Sequence, residues 1–226
     1  MDTVKSLILA GILCTTLSAN DDIKVLQFGI STSYEEKEIY IQRLKHPKCL
    51  KVGVTPDNIF GGDLAGKNVP KECRKNFVTS LGVIQPIQLD EDIQTVGELE
   101  VLKLLQMFDF EPDKYALVDT RGKEWFEKIT IPHAINIAKS DMILDVDFPE
   151  DFVSNLKQLN VKQDKKGKLD FTNAKHAIIF CNGSWCTQSA KAIKELVKLG
   201  YPKKKLFWYR GGLQDWVGSG FTVVKH

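Results

Sequence analysis

From about residue 95 onward, short apolar runs alternate with segments that have helical spacing. Four runs are predicted to be β-strands: Tyr115–Asp119, Ala134–Ile137, His176–Phe180 and Leu206–Tyr209. Continuous apolar runs of this length are typical of strands that are buried on both faces, and strands separated by helices usually form parallel sheets. The pattern therefore predicts an α/β fold with three layers, in which helices flank a central parallel sheet.

The first helix of this region is predicted from a capping pattern. Thr95 and Glu98 have the spacing of a capping box, in which each side chain binds a free main-chain N–H at the helix start. Leu99, Leu102 and Leu105 continue with helical spacing. A helix is therefore predicted over about residues 96–107.

Three more helices are predicted between and after the strands. A short one covers Lys123–Lys128, and a longer one covers residues 188–199, with Gly200 as its stop signal. The last begins at Gly211 and Gly212 and carries Trp216. Together with the strands, these helices define a predicted domain over residues 91–226.

Residues 20–90 form a smaller N-terminal extension whose structure the pattern does not define. Glycines and prolines are spread along it, and short apolar runs such as Ile39–Ile41 are typical of edge strands. No role is assigned to this extension from its sequence.

The first 19 residues have the layout of a secretory signal peptide. Lys5 precedes the apolar run Leu7–Leu13, and Leu17–Ala19 ends in small residues. The run is too short to span a bilayer, for which about 20 apolar residues are needed. We expect cleavage after Ala19 and a periplasmic or secreted mature protein, with no membrane segment in that form. A lipid anchor at Cys14 and a short buried helix are the alternatives.

Charge and cysteine content narrow the function classes. The chain has 226 residues, with 31 Lys and Arg against 29 Asp and Glu, so its formal net charge of +2 gives no basic surface for nucleic acid. Four cysteines remain after residues 1–19: Cys49, Cys73, Cys181 and Cys186. Their spacing is not that of a zinc site, so no metal or cofactor is predicted. In an exported chain, Cys49 and Cys73 are a candidate disulfide.

The candidate chemistry is concentrated around Cys181. This residue ends a predicted strand, and the loop that follows leads into the N-terminus of the helix over residues 188–199. Ligands bind beyond the carboxyl ends of parallel strands, and helix N-terminal N–H groups favour a thiolate or an anion. A thiolate is the reactive form of a sulfur nucleophile. An inert buried cysteine is the alternative that the local pattern leaves open.

Four motifs in order resemble the rhodanese (sulfurtransferase) family. Leu117–Arg121 resembles the family's first strand with its Asp-x-Arg, and Thr130–Asn136 resembles its His-Ile-Pro-Gly-Ala-Ile-Asn signature. Phe180–Ser189 resembles the active-site cysteine loop, and Tyr209–Trp216 the closing Gly-Gly and Trp motif. The loop is most similar to that of exported bacterial members with Cys-Asn-Gly-x-Trp-Cys.

The resemblance implies a rhodanese-like fold with a five-stranded parallel sheet and a sulfurtransferase activity. Cys181 would accept a sulfane sulfur from thiosulfate, a polysulfide or a persulfide and pass it to cyanide, a thiol or a protein cysteine. Asp119 and Arg121 would support the loop from behind, with a surface ion pair as the alternative. The loop residues would cradle the persulfide: Asn182, Gly183, Ser184, Trp185, Cys186 and Thr187.

Three departures from the family pattern bear on the substrate. The loop holds no cation, which predicts that thiosulfate is a poor donor, and Lys191 and Arg210 nearby are expected to be solvated. Thr130 replaces the motif's His, and His133 replaces its Gly; we expect His133 to be a packing or surface residue. The missing loop Arg also argues against a phosphatase.

Two other functions remain open. A thiol-disulfide redox protein would use Cys181 and Cys186 as a switching pair, and a non-catalytic module would use the fold to bind a partner. Cys186 either bridges Cys181 during turnover or packs under the loop. Trp185 either lines the mouth of the pocket or packs on the domain.

Overall fold

The structure is a computed structural model that describes residues 19–43, 46–55, 61–75, 82–143 and 149–226, with the side chains of residues 19–23 and of Cys49 outside that description. The predicted signal peptide, apart from Ala19, lies outside the described residues. Within the described ranges, no helix is long and apolar enough to cross a membrane.

Six α-helices and nine strands are defined in these ranges. The helices are α1 (Ala19–Phe28), α2 (Glu98–Met107), α3 (Lys123–Lys128), α4 (Pro149–Gln158), α5 (Gln188–Leu199) and α6 (Gly212–Gly218). The strands are β1 (Ile30–Tyr34), β2 (Lys37–Ile41), β3 (Gln94–Val96), β4 (Tyr115–Asp119), β5 (Ala134–Asn136), β6 (Lys162–Gln163), β7 (Leu169–Asp170), β8 (His176–Phe180) and β9 (Leu206–Tyr209).

The central sheet has five strands in the order β3-β9-β8-β4-β5. All four neighbouring pairs are parallel, so the predicted parallel sheet is confirmed. β8 is the middle strand, and its carboxyl end lies between those of β4 and β9. The residue that follows β8 is therefore at the centre of one edge of the sheet.

Helices cover both faces of the sheet, because successive residues of each strand point to opposite sides. On β4, Ala116 and Val118 join one buried cluster together with Ile193 of α5. Leu117 joins a second buried cluster with Leu102 of α2 and with Trp216 of α6. Two cores on opposite faces explain why the strands are continuously apolar.

Most predicted elements are present at their predicted bounds, and the exceptions are small. β5 ends at Asn136, one residue before its predicted end. α5 covers the predicted range, and Gly200 closes it with a left-handed φ of 102°. A residue with a Cβ avoids that conformation, which is why Gly is the usual stop signal.

The predicted capping box at Thr95 is wrong. Thr95 lies in β3, and its hydroxyl donates to the Ile87 main-chain oxygen over 2.6 Å. The helix begins two residues later than predicted, at Glu98, and its N-cap is Gly97. The Gly97 N–H donates to the Glu100 carboxylate over 2.9 Å. Pairing of Thr95 with Trp208 in the sheet takes precedence over the local helix signal.

The described part of the extension begins with α1 and an antiparallel hairpin of β1 and β2. The hairpin contains the apolar run Ile39–Ile41, as the edge-strand pattern predicted. Ile30 and Ile41 are buried in the same cluster as α2 and α6. The Thr32 hydroxyl and the Ser33 N–H both donate to the Asp109 carboxylate.

Cys73 is a free, exposed thiol in the structure. Because the side chain of Cys49 lies outside the described residues, the bridge between these two cysteines stays a prediction.

Candidate functional site

The loop that carries Cys181 leaves the sheet at the end of its middle strand. The Phe180 main-chain oxygen accepts two hydrogen bonds from Thr120, from its N–H over 3.0 Å and from its hydroxyl over 2.8 Å. These bonds fix the end of β8 beside the end of β4. Cys181 is therefore held where ligands bind in open parallel sheets.

The Cys181 thiol is enclosed by the start of α5. Its side chain is 2% exposed, and its Sγ lies 3.2 Å from the Ser189 hydroxyl. The Ser189 oxygen in turn accepts a hydrogen bond of 3.0 Å from the Trp208 indole N–H, which leaves its proton free for the sulfur. A chain of three buried side chains thus runs from β9 to Cys181.

Cys186 lies against Cys181 because the loop curls back on itself. The Cys186 N–H donates to the Gly183 oxygen over 2.9 Å, and the Cys186 main-chain oxygen lies 3.4 Å from the Cys181 Sγ. The Cys181 thiol is the donor in this contact. Cys186 is also buried, with 7% of its side chain exposed.

The two thiols differ in acidity. The hydrogen bond from Cys181 lowers the pKa of Cys186 to about 6, helped by the N–H groups of Gln188 and Asn182 and by the Arg121 charge, against the effect of burial. Burial raises the pKa of Cys181 well above its ordinary value, and Cys186 raises it further, although Ser189 opposes this. Cys186 is thus the more acidic thiol of the pair and the first to ionise as the pH rises.

This distribution differs from the predicted cradle. We expected the N–H groups of residues 182–187 to converge on the Cys181 sulfur. Instead, the N–H groups of Asn182 and Gln188 face Cys186, while the N–H and hydroxyl of Ser189 face Cys181. The reason is that α5 begins at Gln188, so its two leading amides are shared between two sulfurs.

The loop carbonyls are bound from outside, which helps its amides to point inward. Four N–H groups from other segments bind four loop oxygens. The pairs are Leu213 with Cys181 at 2.9 Å, Gln214 with Asn182 at 2.8 Å, Gln85 with Ser184 at 2.8 Å, and Val83 with Trp185 at 3.1 Å. The start of α6 and the segment before the sheet therefore clamp the loop from two sides.

Asp119 and Arg121 form a buried pair behind the loop. Their side chains are 0% and 1% exposed, so the alternative of a surface ion pair is wrong. The Arg121 guanidinium donates to both Asp119 oxygens and to the Ile129 main-chain oxygen. Its Nη1 lies 3.5 Å from the Asn182 side-chain oxygen. The Arg121 charge thus acts on the loop, although Asp119 compensates it.

Thr130 and His133 take structural positions. The Thr130 hydroxyl donates to Asp119 over 2.8 Å. The His133 ring is stacked on Phe108, with centroids 4.9 Å apart, and desolvation by burial lowers its pKa. His133 has a left-handed φ of 66°, which explains why the family signature has Gly there. The prediction that His133 is a packing residue agrees with this placement.

A surface cavity of about 460 Å³ lies beside the loop. Trp185 lines it together with Trp125 of α3 and Val217 of α6, and its charged lining residues are Arg121 and Lys128. The Trp185 indole N–H donates to Gln214 over 2.6 Å. Neither Cys181 nor Cys186 is among the residues that line this cavity, so the interpretation of Trp185 as a residue at the mouth of the active-site pocket stays a prediction.

The two cations expected to be solvated differ in their surroundings. Lys191 is exposed, as expected. Arg210 is not solvated: its guanidinium donates to the main-chain oxygens of Gln85 and Pro86. It therefore holds the segment that binds the loop oxygens. The expectation was wrong because residues 85 and 210 are too far apart in the chain for a local pattern to reveal the contact.

The remaining loop residues have main-chain roles in the structure. Gly183 is buried and closes the turn to Cys186, Ser184 accepts the bond from Gln85, and Thr187 is the N-cap of α5 without a side-chain cap bond. Sequence reasoning missed Ser189 as a contact of Cys181. Ser189 lies in the first turn of the helix that follows a strand-end cysteine, and this position could have indicated the contact.

In the part of the chain that the structure describes, no group of three or more His, Cys, Asp or Glu side chains is placed to hold a metal ion.

The chain is similar to several solved structures at low sequence identity. No functionally curated protein matches the chain. Among solved structures, the BH2092 protein from Bacillus halodurans is 18% identical, covers 70% of this chain and 87% of its own, and has a TM-score of 0.39. A thiosulfate sulfurtransferase from Pseudomonas aeruginosa is 16% identical over 62% of this chain and 21% of its own, with a TM-score of 0.41.

A third similar structure, a rhodanese with anions from E. coli, is 20% identical over 50% of this chain and 99% of its own, with a TM-score of 0.32. The sequence model of the rhodanese-like domain matches residues 101–219. Since that match covers more than half of the 226 residues, the chain belongs to the rhodanese-like domain family.

Proposed function

We propose that this protein is a sulfurtransferase in which Cys181 takes up a sulfane sulfur as a persulfide and passes it to a thiophilic acceptor. The observation that carries the proposal is the position of the Cys181 thiol. It lies at the carboxyl end of the middle strand, against the first turn of α5 and beside a second thiol, Cys186.

Uptake requires that Cys181 lose its proton as it attacks the donor, because the thiolate is the nucleophile. Cys186, the more acidic thiol of the pair, lies beside Cys181 and can accept that proton in its thiolate form. With thiosulfate as donor, Cys181 attacks the outer sulfur, the S–S bond of thiosulfate breaks, and sulfite leaves with the bonding electron pair. The persulfide that forms carries one negative charge next to the helix N-terminus.

The cavity beside the loop is the proposed docking site of the donor, and its lining favours an organic persulfide over thiosulfate. Arg121 is compensated by Asp119, which leaves Lys128 as the uncompensated cation among the lining residues. Trp125, Trp185 and Val217 offer apolar surface. A dianion such as thiosulfate gains little binding free energy from these apolar side chains. The organic part of a low-molecular-weight or protein persulfide, in contrast, can be desolvated against them.

The proposal is tested by steady-state transfer to cyanide, measured as thiocyanate, with three donors: thiosulfate, inorganic polysulfide and glutathione persulfide. We expect turnover by the wild type, with the highest kcat/KM for a donor other than thiosulfate. Cys181→Ser should be inactive with all three, because a hydroxyl cannot hold a sulfane sulfur. Transfer by Cys181→Ser at the wild-type rate would contradict the proposal.

A thiol-disulfide redox function is the second candidate, and the contact between Cys181 and Cys186 favours it. It predicts reduction of a protein disulfide substrate by the reduced chain without any sulfur donor. Insulin reduction with a dithiol reductant distinguishes the two functions. A redox protein accelerates it in wild type and loses the activity in both single cysteine variants.

We further propose that the protein is exported and matures by cleavage after Ala19. The order of Lys5, an apolar run and small residues supports this. N-terminal sequencing of exported material should begin near Asn20, and an intact Met1 in that material would contradict the proposal. Alkylation of the same material tests the Cys49–Cys73 bridge, since both thiols should resist alkylation until reduced.

A further inference from the structure

The site contains one more reactive group than sulfur transfer requires. A persulfide carried by Cys181 needs one sulfur nucleophile and an external acceptor. Cys186 is nevertheless buried against Cys181, and its main-chain oxygen lies 3.4 Å from the Cys181 sulfur. The Gly183–Cys186 turn that brings it there is closed by a hydrogen bond of 2.9 Å. The loop therefore brings Cys186, five residues after Cys181, back beside that cysteine.

Access to the two sulfurs is unequal. Cys181 is 2% exposed and Cys186 is 7% exposed, so an external thiol has little room to approach the inner sulfur of a persulfide on Cys181. Cys186 needs no approach, because the closed turn from Gly183 already holds it beside Cys181. A reaction between groups held in contact has an effective concentration far above that of any dissolved thiol.

We propose that Cys186 is the second sulfur-handling residue of this site: it attacks the inner sulfur of a persulfide on Cys181, forms a Cys181–Cys186 disulfide and releases hydrosulfide. This inference rests on the proposed function, because it requires Cys181 to have been loaded. Cys186 is then an acceptor within the loop, and hydrosulfide is a product of the reaction.

The step balances without an oxidant. Loading leaves a proton on Cys186 and a negative charge on the outer sulfur of the Cys181 persulfide. The proton passes from Cys186 to the outer sulfur, and the Cys186 thiolate then attacks the inner sulfur. The bond between inner and outer sulfur breaks, and its electron pair leaves with the outer sulfur as hydrosulfide. The sulfane sulfur is reduced by two electrons, and the two cysteine sulfurs are oxidised to the disulfide.

Turnover then depends on a thiol or dithiol reductant. The disulfide must be reopened by exchange with such a reductant before Cys181 can accept another sulfur. Cys186, the more exposed and more acidic thiol of the pair, is the better leaving group, because a lower thiol pKa speeds departure. The reductant is expected to reach the disulfide from the side of the loop where Cys186 is exposed.

The test is a single-turnover reaction of the full-length, pre-reduced protein without added thiol. Wild type, Cys186→Ala and Cys186→Ser are mixed with one equivalent of thiosulfate or of benzenethiosulfonate, whose leaving groups, sulfite and a sulfinate, are not thiols. Hydrosulfide is trapped with a bimane reagent, and the protein is quenched and analysed by intact mass. Tryptic peptide 176–191 contains both cysteines of the loop, so its mass and alkylation state locate the disulfide directly.

Wild type should release one equivalent of hydrosulfide and yield peptide 176–191 two hydrogens lighter and closed to alkylation. Both Cys186 variants should instead keep one added sulfur atom and release hydrosulfide at least about tenfold more slowly. Cys73→Ala, which removes an exposed thiol outside the loop, should behave as wild type. Agreement between the Ala and Ser variants rules out a folding defect as the cause.

Two results would overturn the inference, and they are distinguishable. If wild type keeps its persulfide and releases hydrosulfide no faster than Cys186→Ala, the role of Cys186 is refuted while the proposed function stands. If no variant gains a sulfur atom from either donor, the proposed function fails and the inference fails with it.

Discussion

Gly212 of α6 faces the main-chain oxygen of Cys181 without room for a side chain. A Cβ on Gly212 would collide with that oxygen and would lie 2.9 Å from the Gly183 nitrogen, and the residue has a left-handed φ of 58°. The close approach lets Leu213 and Gln214 bind the first two loop oxygens. The start of α6 is therefore part of the loop's support.

Replacing Gly212 by Ala should distort the loop and reduce sulfur uptake by at least about tenfold, with a loss of stability of about 1–3 kcal/mol from backbone strain. Gly218→Ala is the matched control, because a Cβ at this other end of α6 meets nothing within 4 Å. Thermal unfolding and loading rates of the two variants give the comparison. Equal behaviour of the two would show that the approach of α6 to Cys181 is not needed.

The acidity of the thiol pair predicts a pH profile. Because the thiolate is the reactive form and the pKa of Cys186 is lowered to about 6, alkylation of the loop by iodoacetamide should accelerate as pH rises through about 6 and level off above it. In Cys186→Ala the remaining thiol is Cys181, whose pKa is raised by burial. Its profile should move above the ordinary cysteine value of about 8.5. An unchanged midpoint would contradict the assignment of the charge to Cys186.

Asp119→Asn should destabilise the protein strongly. It leaves the guanidinium of Arg121, 1% exposed, without its counter-charge, and breaking a buried pair costs about 3–5 kcal/mol. Glu111→Gln is the control, since its pair with Lys114 is on the surface, at 41% and 55% exposed, and should change stability by less than about 0.5 kcal/mol. Urea unfolding measures both. A small effect of Asp119→Asn would mean that Arg121 finds other partners.

Trp185→Ala should change donor preference more than stability. The side chain lines the cavity and donates to Gln214 over 2.6 Å, so its loss removes apolar wall from a half-buried position. We expect KM for glutathione persulfide to rise by roughly tenfold, which corresponds to about 1.4 kcal/mol, with a smaller change for thiosulfate.

Trp125→Ala is the comparison variant, because it removes an indole from the same cavity but from α3, and so leaves the loop unchanged. Equal changes for all donors would remove Trp185 from the binding site.

The sequence predicted those parts of the fold that local patterns determine. The strand ending at Phe180, the helix over 188–199 and its stop at Gly200 follow from apolar periodicity and from the freedom of glycine to adopt positive φ. Local patterns failed at Thr95. Its helix signal is real, but its strand pairing with Trp208 depends on a segment more than a hundred residues later.

The site was predictable to the same extent. Strand-end position and motif order identified Cys181 as the candidate nucleophile and Cys186 as its neighbour. The division of amides between the two sulfurs could not be predicted, because it depends on where α5 begins relative to the turn at Gly183. The contact of Arg210 with Gln85 likewise arises only when distant segments meet.

The most direct test of the central claim is the intact mass of the reduced protein after incubation with each sulfur donor, followed by peptide mapping of the product. In Cys186→Ala, incubated at about pH 9 so that Cys181 can ionise without Cys186 as proton acceptor, the account predicts one added sulfur atom that persists on Cys181 in peptide 176–191. The double variant with Cys181→Ser should gain none. An added sulfur that persists in the double variant, or its absence from Cys181 in Cys186→Ala with every donor, would contradict the assignment of Cys181 as the persulfide-forming nucleophile.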